Sequence, residues 1–132
     1  MTVFVDTSAL IAVIYEGDQG HQGAARVWVD LINSRSPLAT TNYVLLETAA
    51  LLQRRLGLEA VRALTTQIVP LLEVHWVNEN VHRAGVTAVL TAGRRQLSLV
   101  DCISFEVMRI LGLRQALALD VDFTDQGFET LP

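Results

Sequence analysis

Acidic side chains stand at four places in the sequence where the surrounding pattern favours apolar or small residues. One ends an apolar run near the start, one lies inside an apolar stretch, one opens a predicted helix, and one follows a late apolar run. Carboxylates without an accompanying set of His or Cys are the ligands that Mg²⁺ and Mn²⁺ prefer. The chemistry that such a set favours is metal-assisted hydrolysis. The four acids are Asp6, Glu47, Asp101 and Asp120, with Asp122 two residues after the last.

Two of these acids also have a simple structural explanation as helix caps. Asp6 follows the strand-like run Val3–Val5 and precedes a helix start, so its carboxylate can accept a backbone hydrogen bond worth ~1 kcal/mol. Ser98 and Asp101 have the spacing of a capping box, in which the acid accepts from the amide of the cap residue. A carboxylate has two oxygens, so capping and metal binding can coexist, and the sequence leaves both roles open.

The other acids have structural alternatives of their own. Glu47 lies in a helical stretch that is apolar nearly all round, so its partly buried carboxylate needs a cation or hydrogen-bond donors. Arg54 or Arg55 would satisfy it without a metal. Asp120 and Asp122 can form an Asx-turn after their strand. If the backbone stays extended there, both carboxylates instead face roughly one side.

The elements that must position these acids alternate between strands and helices. Short apolar runs bounded by turn residues predict strands, and apolar positions three and four apart predict helices. This alternation is typical of an α/β fold with a mainly parallel central sheet of four to five strands, covered on both faces. No repeat or linker interrupts it, so we expect a single domain over residues 1–132. The predicted strands are 3–5, 38–40, 71–77, 116–119 and 127–131, and the predicted helices are 7–15, 21–33, 43–56, 58–68, 79–92 and 98–111.

This topology gives the acids a common meeting place. Asp6 and Asp120 end predicted strands, Asp101 opens a helix and Glu47 lies early in one. Such positions can converge at the carboxyl edge of a parallel sheet, where open α/β sheets bind their ligands. Several unpaired carboxylates at close range repel one another and need cations or raised pKa values. We therefore expect one anionic pocket that holds a divalent metal ion.

Composition and charge narrow the class of protein. Apolar residues make up 51% and charged residues 18% of the 132 residues, which excludes a disordered chain. The net charge of −4 argues against a protein that coats nucleic acid nonspecifically, but it is compatible with a nuclease whose acids share one pocket. The sequence has no apolar run long enough for a bilayer span, no signal-peptide pattern, and the single cysteine Cys102. We therefore expect a cytoplasmic protein without membrane association.

With these residues identified, the chain resembles the PIN-domain ribonucleases, and most closely the VapC-type toxins of bacterial toxin–antitoxin pairs. The resemblance runs nearly end to end and is carried by VFVDTSALIAV, the Asp18–His21 turn, TTNYVLLETAALL, LSLVDCISFEVM and ALALDVDFTDQGFETL. It implies a three-layer α/β/α PIN-like fold. By position, it implies that Asp6, Glu47 and Asp101 are catalytic metal ligands. Asp120 corresponds by position to the fourth acid. Many relatives have a basic or polar residue, often His, where this chain has Asp122, so the fourth ligand is either Asp120 or Asp122.

The resemblance also implies an activity and partners. A Mg²⁺-dependent endoribonuclease, in which Mn²⁺ can substitute, would hydrolyse RNA phosphodiester bonds. It would act as a toxin, form a homodimer and be inhibited by a cognate antitoxin. Hydroxyl groups of Thr7 or Ser8 would help to position water, metal or substrate. Arginine side chains are suited to phosphate contacts, and the candidates are Arg54, Arg55, Arg94 and Arg95.

Three other functions use parts of the same pattern. Phosphoaspartyl transferases need a second acid two residues after the first, but Ser8 stands at that position. A signalling receiver domain needs a Lys near its acidic pocket, and the chain contains no Lys. A catalytically silent RNA- or protein-binding domain on the same fold is the main alternative. It would bind RNA or a partner but show no Mg²⁺-stimulated cleavage.

Overall fold

The fold is described from a computed structural model that covers all residues, Met1–Pro132. Five strands alternate with seven α-helices, as the sequence predicts for an α/β fold. The elements are β1 (Val3–Val5), α1 (Thr7–Ile14), α2 (His21–Asn33), β2 (Leu38–Thr41), α3 (Asn42–Leu56), α4 (Leu58–Ala63), β3 (Glu73–His75), α5 (Glu79–Ala92), α6 (Leu99–Leu111), β4 (Gln115–Leu117), α7 (Val121–Asp125) and β5 (Glu129–Leu131).

All five strands form one parallel sheet in the order β3-β2-β1-β4-β5. The chain runs outward from β1 to β3 and then continues on the other side of β1, so the strand order reverses between β1 and β4. At such a switch point the connections that leave the two strands diverge and open a crevice at the carboxyl edge. Val5 is in register with Leu117, which brings the segments after β1 and β4 to the two sides of this crevice.

The core is continuous around the central strand. All three residues of β1 are buried, and they pack in one apolar cluster with residues such as Leu10, Ile103 and Met108 from α1 and α6. Helices cover both faces of the sheet, so the predicted three-layer α/β/α arrangement with a parallel sheet is confirmed. None of the helices has the length and apolar composition needed to cross a membrane.

The segment after β4 differs from the sequence prediction. An extended Asp-Val-Asp was one expectation, but the chain instead forms the short helix α7, with Asp120 as its N-cap residue. The reason is packing: Phe123 is fully buried and lies 4.9 Å, centroid to centroid, from the ring of Phe105. Such an aromatic contact adds to the apolar burial of both rings. It also fixes Asp122, the neighbour of Phe123, at the site edge.

The predicted helix 58–68 is also more irregular than expected. Its α-helical part ends at Ala63, and Leu64–Ile68 form a π-helical turn in which the amide of Val69 donates to the carbonyl of Leu64. A tight 3₁₀ turn, Val69–Leu71, then includes Pro70, which lacks an N–H and cannot continue an α-helix. The following strand is correspondingly shorter than predicted, as are β4 and β5.

Candidate functional site

An open groove of about 720 Å³ lies at the carboxyl edge of the sheet, at the switch point between β1 and β4. Five carboxylates from five separate parts of the chain line it: Asp6, Asp18, Glu47, Asp101 and Asp120. Only one cationic side chain, that of Arg55, accompanies them. The groove therefore carries a large excess of negative charge, and the four acids singled out in the sequence do meet in one place.

Asp6 is held rigidly at the floor of the groove by neutral donors. It is 3% exposed and caps α1, and its Oδ2 accepts hydrogen bonds from the backbone N of Ser8 at 3.2 Å and from the Ser8 hydroxyl at 2.7 Å. The Ser8 hydroxyl oxygen in turn accepts from the amide of Leu119 at 3.0 Å. Burial raises the pKa of Asp6 even though the hydrogen bonds from Ser8 oppose it. No cationic side chain forms an ion pair with this carboxylate.

Asp101 combines a cap with a free oxygen. It forms the predicted capping box: its amide donates to the Ser98 hydroxyl at 3.0 Å, and its Oδ2 accepts from the Ser98 amide at 3.3 Å. Its other oxygen has no hydrogen-bond donor within the protein. Burial, and then the charge of Asp6, raise the pKa of Asp101 to about 6. The capping role and the groove-lining position therefore coexist.

Asp120 and Asp122 differ in that only Asp122 forms an ion pair with an arginine. Asp120 lines the groove, and its Oδ1 accepts from the amide of Asp122 at 3.0 Å; burial raises its pKa. Asp122 does not line the groove, and its Oδ1 accepts from Arg94 Nη2 at 3.1 Å. Of the acids at this edge, Asp122 is therefore the one that the protein itself neutralises.

The chemistry of the donor set fits a hard divalent cation. One oxygen each of Asp101, Asp120 and Asp122 lies within 4.8 Å of the other two. Asp6 and Glu47 line the same groove outside this tight group. No His or Cys belongs to the cluster, and oxygen-only sites select Mg²⁺, Mn²⁺ or Ca²⁺ over zinc. Burial, and to a smaller extent the charge of neighbouring carboxylates, raises the pKa values of Asp6, Asp101 and Asp120, and none of the three forms an ion pair.

Comparison with known proteins identifies the arrangement. The family model that matches this chain is the PIN domain, over residues 3–129. The chain belongs to the PIN-domain family. Nearly the whole sheet and every groove-lining acid fall inside the matched range. PIN nucleases are metal-dependent, which agrees with the oxygen-rich cluster in this PIN domain.

Relatives place this PIN domain among the VapC-type toxins, as its sequence predicts. It is 37% identical over 128 residues to the 23S rRNA-specific endonuclease VapC20 of Mycobacterium tuberculosis, covering 96% of this chain and 95% of that protein. The crystal structure of that protein, described as a toxin that cleaves the sarcin–ricin loop, matches with a TM-score of 0.87 and 35% identity, covering 98% and 99% of the two chains. VapBC2 from Rickettsia felis, bound to a promoter DNA fragment, shares the fold at a TM-score of 0.71 and 11% identity, covering 98% and 97%.

The remaining predicted residues of the PIN domain differ in how close they lie to the groove. Glu47 is half-buried and forms no ion pair, so the alternative in which Arg54 or Arg55 neutralises it is not realised. Thr7 and Ser8 line the groove, but both hydroxyls already serve the protein: that of Thr7 donates to the carbonyl of Val44 at 3.4 Å, which ties α1 to α3.

The four candidate arginines are dispersed. Arg55 lines the groove, whereas the exposed Arg54 and Arg95 do not. Arg94 forms an ion pair with Asp122 on α7. Asp18 is a lining residue to which sequence reasoning gave no role. It lies in the turn between α1 and α2, where its Oδ1 accepts from the amide of Gly20 at 2.8 Å. Its place in the Asp18–His21 turn was the available signal.

Proposed function

We propose that this PIN domain is a metal-dependent endoribonuclease that acts as a toxin. The observation that carries the proposal is the groove in which acids from distant segments meet without a cation of their own. Unpaired buried carboxylates are costly, and a divalent ion is the simplest compensation. The match to an RNA-cleaving toxin over nearly the full length of both chains supports the same activity.

The proposed ligands are the groove-lining acids Asp6, Glu47, Asp101 and Asp120. We assign Asp120 rather than Asp122 as the fourth, because Arg94 already neutralises Asp122 at 3.1 Å. Mg²⁺ is the proposed physiological ion, and Mn²⁺ would replace it, since both accept sites made only of oxygen.

Serine residues hold two of the proposed ligands in place. Ser8 fixes one oxygen of Asp6 through two hydrogen bonds, and the amide of Ser98 fixes one oxygen of Asp101. The second oxygen of Asp101 accepts no hydrogen bond from the protein, and both carboxylates line the groove. A divalent ion bound there would supply a Lewis acid that lowers the pKa of water and offsets phosphate charge. Outer partners such as Ser8 commonly change metal affinity 10- to 100-fold.

We propose 23S ribosomal RNA as the substrate and a cognate antitoxin as the inhibitor. The first part rests on the relative named as a 23S rRNA-specific endonuclease, and the second on the toxin–antitoxin pair whose fold this chain shares. A strongly anionic groove is also suited to the basic side chains of an inhibitory partner.

The decisive experiment compares four purified proteins on ribosomes and on naked ribosomal RNA. Wild type is expected to cut 23S RNA with Mg²⁺ and not with EDTA, whereas Asp6→Asn and Asp101→Asn lose cleavage and keep their circular dichroism spectra. Asp30→Asn is the matched control, because Asp30 is exposed on α2 and does not line the groove. Full activity in both groove variants would contradict the proposal. RNA binding by wild type without cleavage would favour the catalytically silent binding domain.

Toxin status is tested in cells. We expect growth arrest when the chain is expressed alone, relief when the product of the neighbouring upstream gene is co-expressed, and no arrest with Asp6→Ala. Growth arrest by the Asp6→Ala variant would separate toxicity from cleavage and contradict this part of the proposal.

We also propose a homodimer. Several large apolar side chains remain exposed in the isolated chain, among them Leu46 at 72%, Trp76 at 78% and Leu90 at 75%. Contiguous apolar surface marks sites of association, and Leu46 adjoins a depression lined by further apolar residues of α3 and α6. Light scattering after gel filtration is expected to give twice the mass of 14.5 kDa, and a monomer at micromolar concentration would contradict this part of the proposal.

A further inference from the structure

One face of α3 carries three groove-lining residues with different chemistry. Glu47, Leu51 and Arg55 are spaced four residues apart, so they lie on the same side of the helix, and all three line the groove. With a helical rise of 1.5 Å per residue, Arg55 lies ~12 Å along the helix from Glu47. Along this face of α3, the proposed metal-binding carboxylate is followed by an apolar side chain and then by a guanidinium.

Arg55 has no partner within the protein. The ion pairs of this chain involve Arg62, Arg83 and Arg94, and Arg55 makes neither an ion pair nor a side-chain hydrogen bond. Its side chain is exposed. It also lies in the last turn of α3, where a cation is mildly favourable at any helix. Helix stability alone is the competing explanation, and it applies equally to Arg54.

The neighbouring arginine separates these two explanations. Arg54 shares the last turn of the helix and its exposure, but it points about 100° away around the axis and does not line the groove. If the two residues served only the helix end, they would be equivalent. Groove lining distinguishes Arg55 alone.

We propose that Arg55 binds a flanking phosphate of the RNA strand, on the assumption that the proposed ribonuclease function holds. The strand carries one charge per nucleotide, about 3.4 Å apart along a duplex strand, so a group ~12 Å from the ligand Glu47 meets a phosphate other than the scissile one. Arg is suited to this contact, because its guanidinium binds phosphate oxygens in a bidentate manner. Leu51, between them, would contact the sugar or base of a nucleotide in the stretch between the two phosphates.

The charges of the other groove-lining residues favour a position of the RNA strand along this face of α3. Outside the tight acidic group, the remaining lining carboxylates are Asp6, Asp18 and Glu47, and Asp18 comes from the turn between α1 and α2. A polyanion is repelled from that turn and attracted to the only lining cation. The α3 face is therefore the wall along which the phosphates continue away from the metal site.

The test measures cleavage of a synthetic RNA hairpin with the sarcin–ricin loop sequence by wild type, Arg55→Ala, Arg55→Lys and Arg54→Ala. A flanking contact is made equally in the ground state and in the transition state, so Arg55→Ala raises KM and leaves kcat nearly unchanged. The expected rise is about ten- to hundredfold. Arg55→Lys recovers part of it, and Arg54→Ala stays within about twofold of wild type.

The salt dependence provides a readout that a structural role would not move. The slope of log kcat/KM against log salt concentration is expected to decrease in magnitude by about 0.7 for Arg55→Ala, as for the loss of one phosphate contact on a single strand. Thermal melting confirms that both alanine variants fold. If wild type cuts the hairpin and Arg55→Ala behaves like Arg54→Ala, this inference is wrong while the nuclease function stands. If wild type shows no Mg²⁺-dependent cleavage of any RNA, both are wrong.

Discussion

The two sides of the acidic groove hold their carboxylates by different means. On the side of β1 and α6, Asp6 and Asp101 receive hydrogen bonds only from neutral donors, namely Ser8 and Ser98. On the side of α7, Asp120 likewise accepts only from an amide, whereas Asp122, just outside the groove, is paired with a guanidinium. Neutral donors orient a carboxylate but leave most of its charge, whereas an arginine cancels it. The need for an external cation is therefore greatest at the groove-lining acids, none of which forms an ion pair.

The largest expected effect is a difference in RNA cleavage between a variant of Asp101 and a variant of Asp122. Asp101→Asn is expected to reduce RNA cleavage more than about 100-fold, because it removes a proposed ligand, whereas loss of an outer partner costs 10- to 100-fold. Asp122→Asn is expected to reduce it about tenfold or less, because Asp122 acts only through its neighbour on α7. Initial rates on the same RNA at saturating Mg²⁺ measure the ratio. Equal losses in the two variants would remove the distinction between the sides.

The next effect tests the neutral donors. Ser8→Ala removes the 2.7 Å hydrogen bond to Asp6 and the acceptor for the Leu119 amide. We expect Mn²⁺ affinity to fall about tenfold or more, as for other partners that orient metal ligands. Isothermal titration calorimetry measures it, with Ser34→Ala, an exposed serine remote from the groove, as the control. Unchanged affinity would mean that Asp6 needs no orientation.

A pH effect of intermediate size follows from Asp101. Its pKa is about 6 in the folded protein against an ordinary value of 3.8, so between these values the folded state binds more protons than the unfolded chain. The free energy of unfolding of the metal-free protein therefore falls as pH rises from about 4 to about 6. Stabilisation by Mg²⁺ increases over the same interval, because the ion binds the deprotonated carboxylate. Melting curves with EDTA or Mg²⁺ measure both trends, and Asp101→Asn should weaken both.

The smallest effect concerns the ion pair between Arg94 and Asp122 on the side of α7. The Arg94 side chain is half exposed at 51%, so Arg94→Gln should lower the free energy of unfolding by less than about 1 kcal/mol. It also frees the Asp122 carboxylate, so Mg²⁺ should bind the variant up to a few-fold more tightly. Denaturation with urea measures the free energy of unfolding, and metal titration measures the Mg²⁺ affinity. A loss of metal affinity would indicate that the arginine supports the site instead of competing with it.

Local sequence patterns determine a large part of this architecture. The run Val3–Val5 followed by Asp6 predicts a buried strand and a helix start, and both are present. The capping box of Ser98 and Asp101 likewise fixes the start of α6. These features are predictable because the residues that form them are neighbours in sequence, and the convergence of the acids then follows from parallel topology.

The remaining features depend on contacts between distant residues. Helix α7 forms because Phe123 enters an aromatic cluster with residues such as Phe105, 18 positions away. Similarly, the pairing of Arg94 with Asp122 spans 28 positions. Gly85 has low helix propensity but allows α5 to approach α6, since a Cβ there would lie 2.3 Å from Ile103 Cδ1. No local pattern predicts such contacts.

The hydrogen bond from the Leu119 amide to the Ser8 hydroxyl joins residues 111 positions apart. During translation, Ser8 leaves the ribosome long before its partner has been polymerised, and Asp120 follows later still. A nascent chain therefore cannot complete the groove until most of its length has been made. The proposed nuclease is thus inert throughout most of its own synthesis, and prematurely terminated products that lack β4 are expected to be harmless to the cell that makes them.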